Sequence, residues 1–157
     1  MRLTVYTDYT MRVLMYLAVK HPSGELATID EMSTAYGISR AHLMKIVNEL
    51  ASAGFVNTLR GRGGGVRLAR APADISVGEV VRFAEKDFAV VACQDKSVDA
   101  ACAIHAACGL RHAMQRAVQA FLNELDPVSL ADAVAHPRQA VKLLGIDVVR
   151  LQRRRAD

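Results

Sequence analysis

The chain has 157 residues, 52% of them hydrophobic, with 20 lysines and arginines against 16 acidic residues and a formal net charge of +4. That size and composition suit one compact domain with a core of its own and a small appendage, and the charge favours an acidic polymer as partner without fixing a fold. No apolar run approaches the roughly 20 residues that span a bilayer, and the stretch from Val13 to Val19 has basic or polar residues on both sides and no small-residue cleavage site after it. The expectation is a cytoplasmic protein with no membrane partner, in which three cysteines stay reduced.

Thr7 is expected to cap a first helix running to about Lys20, with Val13, Leu14, Leu17 and Ala18 on one buried stripe, and His21-Pro22-Ser23-Gly24 ends it. Thr28 and Glu31 have the spacing of a capping box that opens a short helix closing near Tyr36-Gly37. Ser39 caps the next helix. In it Leu43, Ile46, Val47 and Leu50 fall at i, i+3, i+4 and i+7, so Ala41, Lys45 and Asn48 project from the opposite side, and Gly54 ends it. Phe55 to Arg60 and Val66 to Ala69 read as the strands of a hairpin around Gly61-Arg62-Gly63-Gly64-Gly65, whose loop calls for unusual backbone angles. Two short helices followed by a basic hairpin make a winged helix-turn-helix, assigned to residues 1–72. A phosphate-binding loop would instead follow a strand and open directly into a helix.

Ser76 or Gly78 then leads into a short helix over Glu79 to Glu85, within a connecting segment 73–90. From Asp87 to Cys108 the periodicity fades into a loop of about twenty residues, a length uncommon in compact proteins unless functional or disordered. Residues 91–108 hold all three cysteines. Beyond them Leu110, Met114, Ala117, Phe121 and Leu125 have the spacing of a helix that offers a narrow apolar seam to a partner helix, and Asp126-Pro127 stops it. Ser129 to Val134 adds a turn or two. Residues 136–157, with Arg150, Arg153, Arg154 and Arg155, read as a weakly ordered, solvated tail.

A recognition helix enters the major groove with its early residues near base edges, and Ser39, Arg40, Lys45 and Asn48 are placed for that. Any one of them alone is what a solvated surface helix also carries. Together with Arg60, Arg62 and Arg67 around a glycine-rich turn they favour double-stranded DNA, because arginine at such a tip fits a narrow, electronegative minor groove.

Cys93, Cys102 and Cys108 give the pattern C-x8-C-x5-C. Thiolates at that spacing on a loop can wrap an iron-sulfur cluster, whose irons each need a protein ligand. Three cysteines leave one iron short, with Asp8, His105, His112 or a small exogenous ligand to complete the set. Zinc is the alternative, since Cys93, Cys102, His105 and Cys108 would supply a Cys3His tetrahedron. A metal-free thiol switch needs one thiol of lowered pKa beside a resolving partner, and nothing marks one. No substrate pocket accompanies a cysteine nucleophile with His105 or His112, so the chain is not expected to be an enzyme.

Five features together resemble the winged-helix iron-sulfur transcription regulators: Met1 to Asp8, Gly37 to Val47, Arg60 to Ala69, Ile75 to Val81, and three cysteines followed by a long helix. The resemblance covers about residues 1–134 and is closer to the nitric-oxide-sensing branch than to the cluster-assembly branch. It implies a mainly α fold with a small β-hairpin wing, a winged helix-turn-helix joined to a long dimerisation helix in residues 109–135, and a homodimer on a roughly palindromic operator. It implies a 4Fe-4S cluster held by Cys93, Cys102 and Cys108, with Asp8 contributed in trans from the partner subunit. It further implies a repressor of nitric oxide detoxification genes that releases its operator when the cluster is nitrosylated. The cluster-assembly branch places a histidine three residues after its last cysteine; this chain has Arg111 there and His112 one place later, which weakens a 2Fe-2S reading. The eight residues between Cys93 and Cys102 exceed the four or five of the better-known members.

Overall fold

Hydroxyl caps start most of the helices by satisfying amides that have no partner inside the helix. The computed structural model describes residues 2–94 and 102–146. In chain order it has α1 (Val5–Lys20), α2 (Ile29–Tyr36), α3 (Arg40–Ser52), β1 (Val56–Leu59), β2 (Gly65–Leu68), α4 (Val77–Ala84), α5 (Gly109–Leu125), α6 (Leu130–Ala133) and α7 (Pro137–Leu143). Thr28 opens α2 with the full capping box to Glu31, Ser39 opens α3 and Ser76 opens α4. The expected cap of α1 is corrected: Thr4, not Thr7, holds that position and accepts from the Thr7 amide. Thr7 is buried inside the helix, where its hydroxyl donates to Glu85 at 2.7 Å. Glu85 also accepts from the Thr4 amide at 3.0 Å, so an acceptor 81 residues away decides between two threonines.

The buried stripe of α1, with Val13, Leu14 and Leu17, is the spine of the core; Leu43, Ile46, Val47 and Leu50 of α3 and Phe55, Val66 and Leu68 of the hairpin close on it. The two strands pair antiparallel in the register Val56↔Leu68 to Leu59↔Gly65. Ala27 and Val66 exchange two backbone hydrogen bonds of 2.8 Å, which pins the wing to the segment leading into α2. Tyr6 of α1 donates its hydroxyl to Glu49 of α3, and burial together with that carboxylate pushes the phenol pKa up to about 12.

Lys20, at the end of α1, is only 4% exposed. Its ammonium donates to the Leu26 carbonyl and to Glu31, each at 3.1 Å, while the same Glu31 accepts from the Thr28 amide at 2.6 Å. A buried ammonium is tolerated when it is paired and hydrogen-bonded in this way. Burial pushes the Glu31 carboxyl up, but the Thr28 amide and the Lys20 ammonium outweigh it and hold the pKa below its ordinary 4.5. The stability this carboxylate contributes is therefore present above 4.5 and lost as pH falls through the lower folded value. Urea midpoints of the wild type and Glu31→Gln are expected to differ at pH 7 and to converge in acid. Equal differences at both ends would remove the charge from the account.

Val77 and Val81 of α4 pack with Leu122 of α5 in a second small cluster, joined by Val118, Phe121 and Leu125. Arg82 grips the Asp126 carboxylate through both guanidinium nitrogens, one bond being 2.9 Å, and Ser76 donates to the Asp126 carbonyl at 2.9 Å. The apolar seam expected on α5 thus divides. Phe121 and Leu125 face α4, whereas Leu110 stays 58% exposed and Ala117 is exposed as well.

The chain after Val134 corrects the expectation of a tail from 136 onward. Proline at the first position of α7 presets its backbone; Ala140, Val141 and Leu144 pack against the main core, and Ile146 is buried. Residues 147–157, with Arg150, Arg153, Arg154 and Arg155, lie outside the described residues.

Candidate nucleic-acid interface and metal centre

α3 turns its whole apolar stripe inward, which leaves Arg40, Ala41, Met44, Lys45 and Asn48 exposed. Ser39 stands at the helix start and spends its hydroxyl on the His42 amide, a structural duty as the cap of α3. Arg40 pairs with Asp30 of α2 at 2.6 Å, with both side chains more than 60% exposed. An ion pair so open to water contributes little and exchanges readily for a phosphate. Lys45 and Asn48 lie opposite the buried stripe, as the spacing predicts. Met44, 52% exposed, was not among the residues the sequence singled out, because an apolar residue in a helix is ordinarily assigned to the core.

The wing backbone is set by its glycines. Gly61 and Gly63 have φ of +95° and +79°, a region that side chains disfavour. A Cβ at Gly64 would overlap the Leu59 carbonyl, and one at Gly65 would lie 2.7 Å from the Ala27 carbonyl oxygen. Arg60, Arg62 and Arg67 are exposed, and none takes part in an ion pair among the described residues. Arg62→Ala is expected to weaken duplex binding and to reduce its slope against log salt by about one. Stability should stay within about 0.5 kcal/mol, as for a surface position. An unchanged slope in a binding titration at three salt concentrations would take Arg62 out of the interface.

Cys93, Cys102 and Cys108 are all free thiols, the first and last half-buried and Cys102 exposed. Cys93 sits in the turn Ala92–Gln94, and Cys108 is the residue before α5, where its side chain caps no amide. The Gln94 side-chain amide donates to the Arg111 carbonyl at 3.3 Å, which holds the Cys93 turn against the first turn of α5, next to Cys108. Cys102 begins a separate turn, with the His105 amide donating to its carbonyl at 3.0 Å. Among the described residues no three His, Cys, Asp or Glu side chains converge as a metal site within one protomer, so neither the cluster set nor the Cys3His set is assembled there. The donor chemistry fits an iron-sulfur cluster: three soft, unbridged thiols lie within sixteen residues. Cys108 directly precedes the first turn of α5, and the Cys93 turn is tied to that same turn.

Asp8 is in the first turn of α1, half exposed, and accepts from Arg12 at 2.9 Å. That bond raises the Arg12 pKa above its ordinary value, and the guanidinium also lies 5.7 Å from the centre of the Tyr36 ring. Among the described residues Asp8 meets no cysteine, and His105 and His112 are exposed. What joins the two regions is Glu85, which ends α4 at the root of the cysteine loop and holds Thr4 and Thr7 at the start of α1.

A family model described as Rrf2, an iron-dependent transcriptional regulator, matches residues 3–136. The HTH-type transcriptional regulator NsrR of Bacillus subtilis is 46% identical over 144 residues, which cover 92% of this chain and 97% of that one. NsrR of Bacillus licheniformis is 44% identical over 144 residues, 92% and 99% of the two chains. Among solved structures, CymR, the global cysteine regulator of B. subtilis, superposes with a TM-score of 0.67 at 22% identity, covering 87% of this chain and 98% of its own. IscR of T. potens gives 0.66 at 22%, covering 89% and 90%. At that identity the two structures speak for the fold alone.

Proposed function

Since the chain belongs to the Rrf2 family of iron-dependent transcriptional regulators, and so is a transcription regulator and not an enzyme, we propose that it is a homodimeric, operator-binding repressor that responds to nitric oxide through an iron-sulfur cluster. The observation that carries the reading is the set of three free thiols within the sixteen residues that lead into α5, in a chain 46% identical to a regulator named NsrR. Cys93, Cys102 and Cys108 would hold a 4Fe-4S cluster, with Asp8 of the partner subunit as fourth ligand. When bound, the cluster supplies iron that reacts with nitric oxide.

The rest falls to this chain's own side chains. The ligand loop hangs between Glu85 and Cys108. Glu85 holds the start of α1 through Thr4 and Thr7, and Tyr6 of α1 holds α3 through Glu49. A change in the loop therefore reaches the helix that faces DNA through two hydrogen-bonded links, Glu85 to α1 and Tyr6 to Glu49. A change of 1.4 kcal/mol in the balance between two arrangements alters affinity tenfold, so a modest shift suffices. The open apolar positions on the first half of α5, Leu110 and Ala117 among them, suit a second copy of the helix, and a two-fold protein suits a two-fold operator. The reducing cytoplasm is the compartment in which such thiols stay available.

The test is an anaerobic absorption and circular dichroism spectrum with iron and sulfide analysis, followed by nitric oxide titration while operator binding is measured. The expected result is a visible band that bleaches as DNA is released. Colourless protein with stoichiometric zinc would replace the proposal with a Cys3His regulator, and the spectrum of a 2Fe-2S centre would move it to the other branch of the family.

A further inference from the structure

We propose that Met44 reads a thymine C5-methyl group in the major groove, a role that rests on the reading of α3 as the helix that enters DNA. Four apolar residues of α3, Leu43, Ile46, Val47 and Leu50, are at most 4% exposed, whereas Met44 is 52% exposed. The core is complete without it. At about 100° per residue, Met44 lies beside Ala41 one turn before it and Asn48 one turn after it, and next to Lys45. It is thus the only large apolar side chain on a face otherwise made of Arg40, Ala41, Lys45 and Asn48.

The partner's chemistry follows from that setting. Cationic and amide neighbours favour a polyanion over an apolar protein surface, and a single methionine falls far short of the apolar patch that marks protein docking. The base edges in the major groove present donors and acceptors with one apolar exception, the methyl group of thymine. Methionine suits it, being unbranched, flexible and polarisable, and Ala41 beside it leaves the helix backbone free to approach. Lys45 and Asn48 would then supply polar contacts on either side of an apolar one, so that the face distinguishes thymine from cytosine at one position of each half-site.

The experiment begins with an operator selected from random duplexes by the wild-type protein, in which each thymine is then replaced singly by uracil, removing only the methyl group. Affinities are measured by fluorescence anisotropy for wild type, Met44→Ala and Met44→Leu. One thymine per half-site is expected at which uracil weakens the wild type about fourfold, the worth of one buried methyl-sized group. Met44→Ala should bind the thymine operator about fourfold more weakly and be indifferent to uracil there, with its salt slope unchanged because the phosphate contacts remain. Met44→Leu should keep the dependence. A wild type that tolerates uracil at every position, or a Met44→Ala protein with the same uracil penalty, would overturn the assignment while leaving the repressor reading intact. A wild type that selects no operator at all would overturn both.

Discussion

A Cys102→Ala protein is expected to purify colourless, with iron and sulfide lost together and with operator binding no longer sensitive to nitric oxide. The effect should be all or none, because in the proposed 4Fe-4S centre three thiols already leave one iron without a cysteine, and a second vacancy would remove the template for the loop. Cys102 is the most telling of the three. It is exposed, it caps no helix and its side chain packs in no cluster of the core, so its removal costs the fold little and the outcome reports on ligation alone. The winged domain should keep its melting temperature measured on metal-free protein. A fully coloured variant would take Cys102 out of the ligand set. Asp8→Ala gives the complementary result: colour retained, with loss to a chelator at least about tenfold faster. Asp8 variants indistinguishable from wild type would pass the fourth position to His105, His112 or an exogenous ligand.

Gly78→Ala is expected to destabilise the protein by about 1–3 kcal/mol, the range for overfilling a packed joint. In a chain of 157 residues that should lower the melting temperature by about 2–4 °C per kcal/mol. A Cβ at this position would overlap the Asp126 carboxylate and come within 3.0 Å of both the Asp126 amide nitrogen and the Arg82 guanidinium. One methyl group thus wedges apart the place where Arg82 grips Asp126, where Ser76 bonds the Asp126 carbonyl, and where the Val77 amide donates to Val128 at 2.8 Å. The backbone at Asp126 cannot yield without moving the end of α5. Calorimetry decides the point, and a melting temperature equal to wild type would mean that the joint gives way at little cost. Because α5 begins beside Cys108, the same variant is also expected to load the proposed cluster less completely.

The winged helix was legible because its signals are local. Thr28 with Glu31, Ser39, and the stripe from Leu43 to Leu50 each declare themselves within eight residues, and Gly61 to Gly65 announces a turn that few other sequences could make. What escaped depends on distant parts of the chain. Thr4 and Thr7 are equivalent as caps until Glu85 takes the second one's hydroxyl. Residues 137–143 have little pattern of their own and become a helix because α1 offers Ala140, Val141 and Leu144 a surface to cover. Met44 had no assignment from the periodicity, and its place on the open face shows only once Leu43, Ile46, Val47 and Leu50 are seen to fill the interior without it. The three cysteines stand out by their spacing, but the described residues of one protomer bring no three metal-binding side chains together, and part of their ligand set is proposed to come from a second copy.

The wing tip leaves its lineage very little room to vary. Of the five residues from Gly61 to Gly65, two need left-handed backbone and two meet a carbonyl at the distance of a Cβ, so four letters are held by stereochemistry whatever DNA they face. Arg62 is the exception. Drift or selection acting on the tip can exchange that one side chain at no backbone cost and can exchange nothing else, which makes the tip a fixed mount for a single replaceable part.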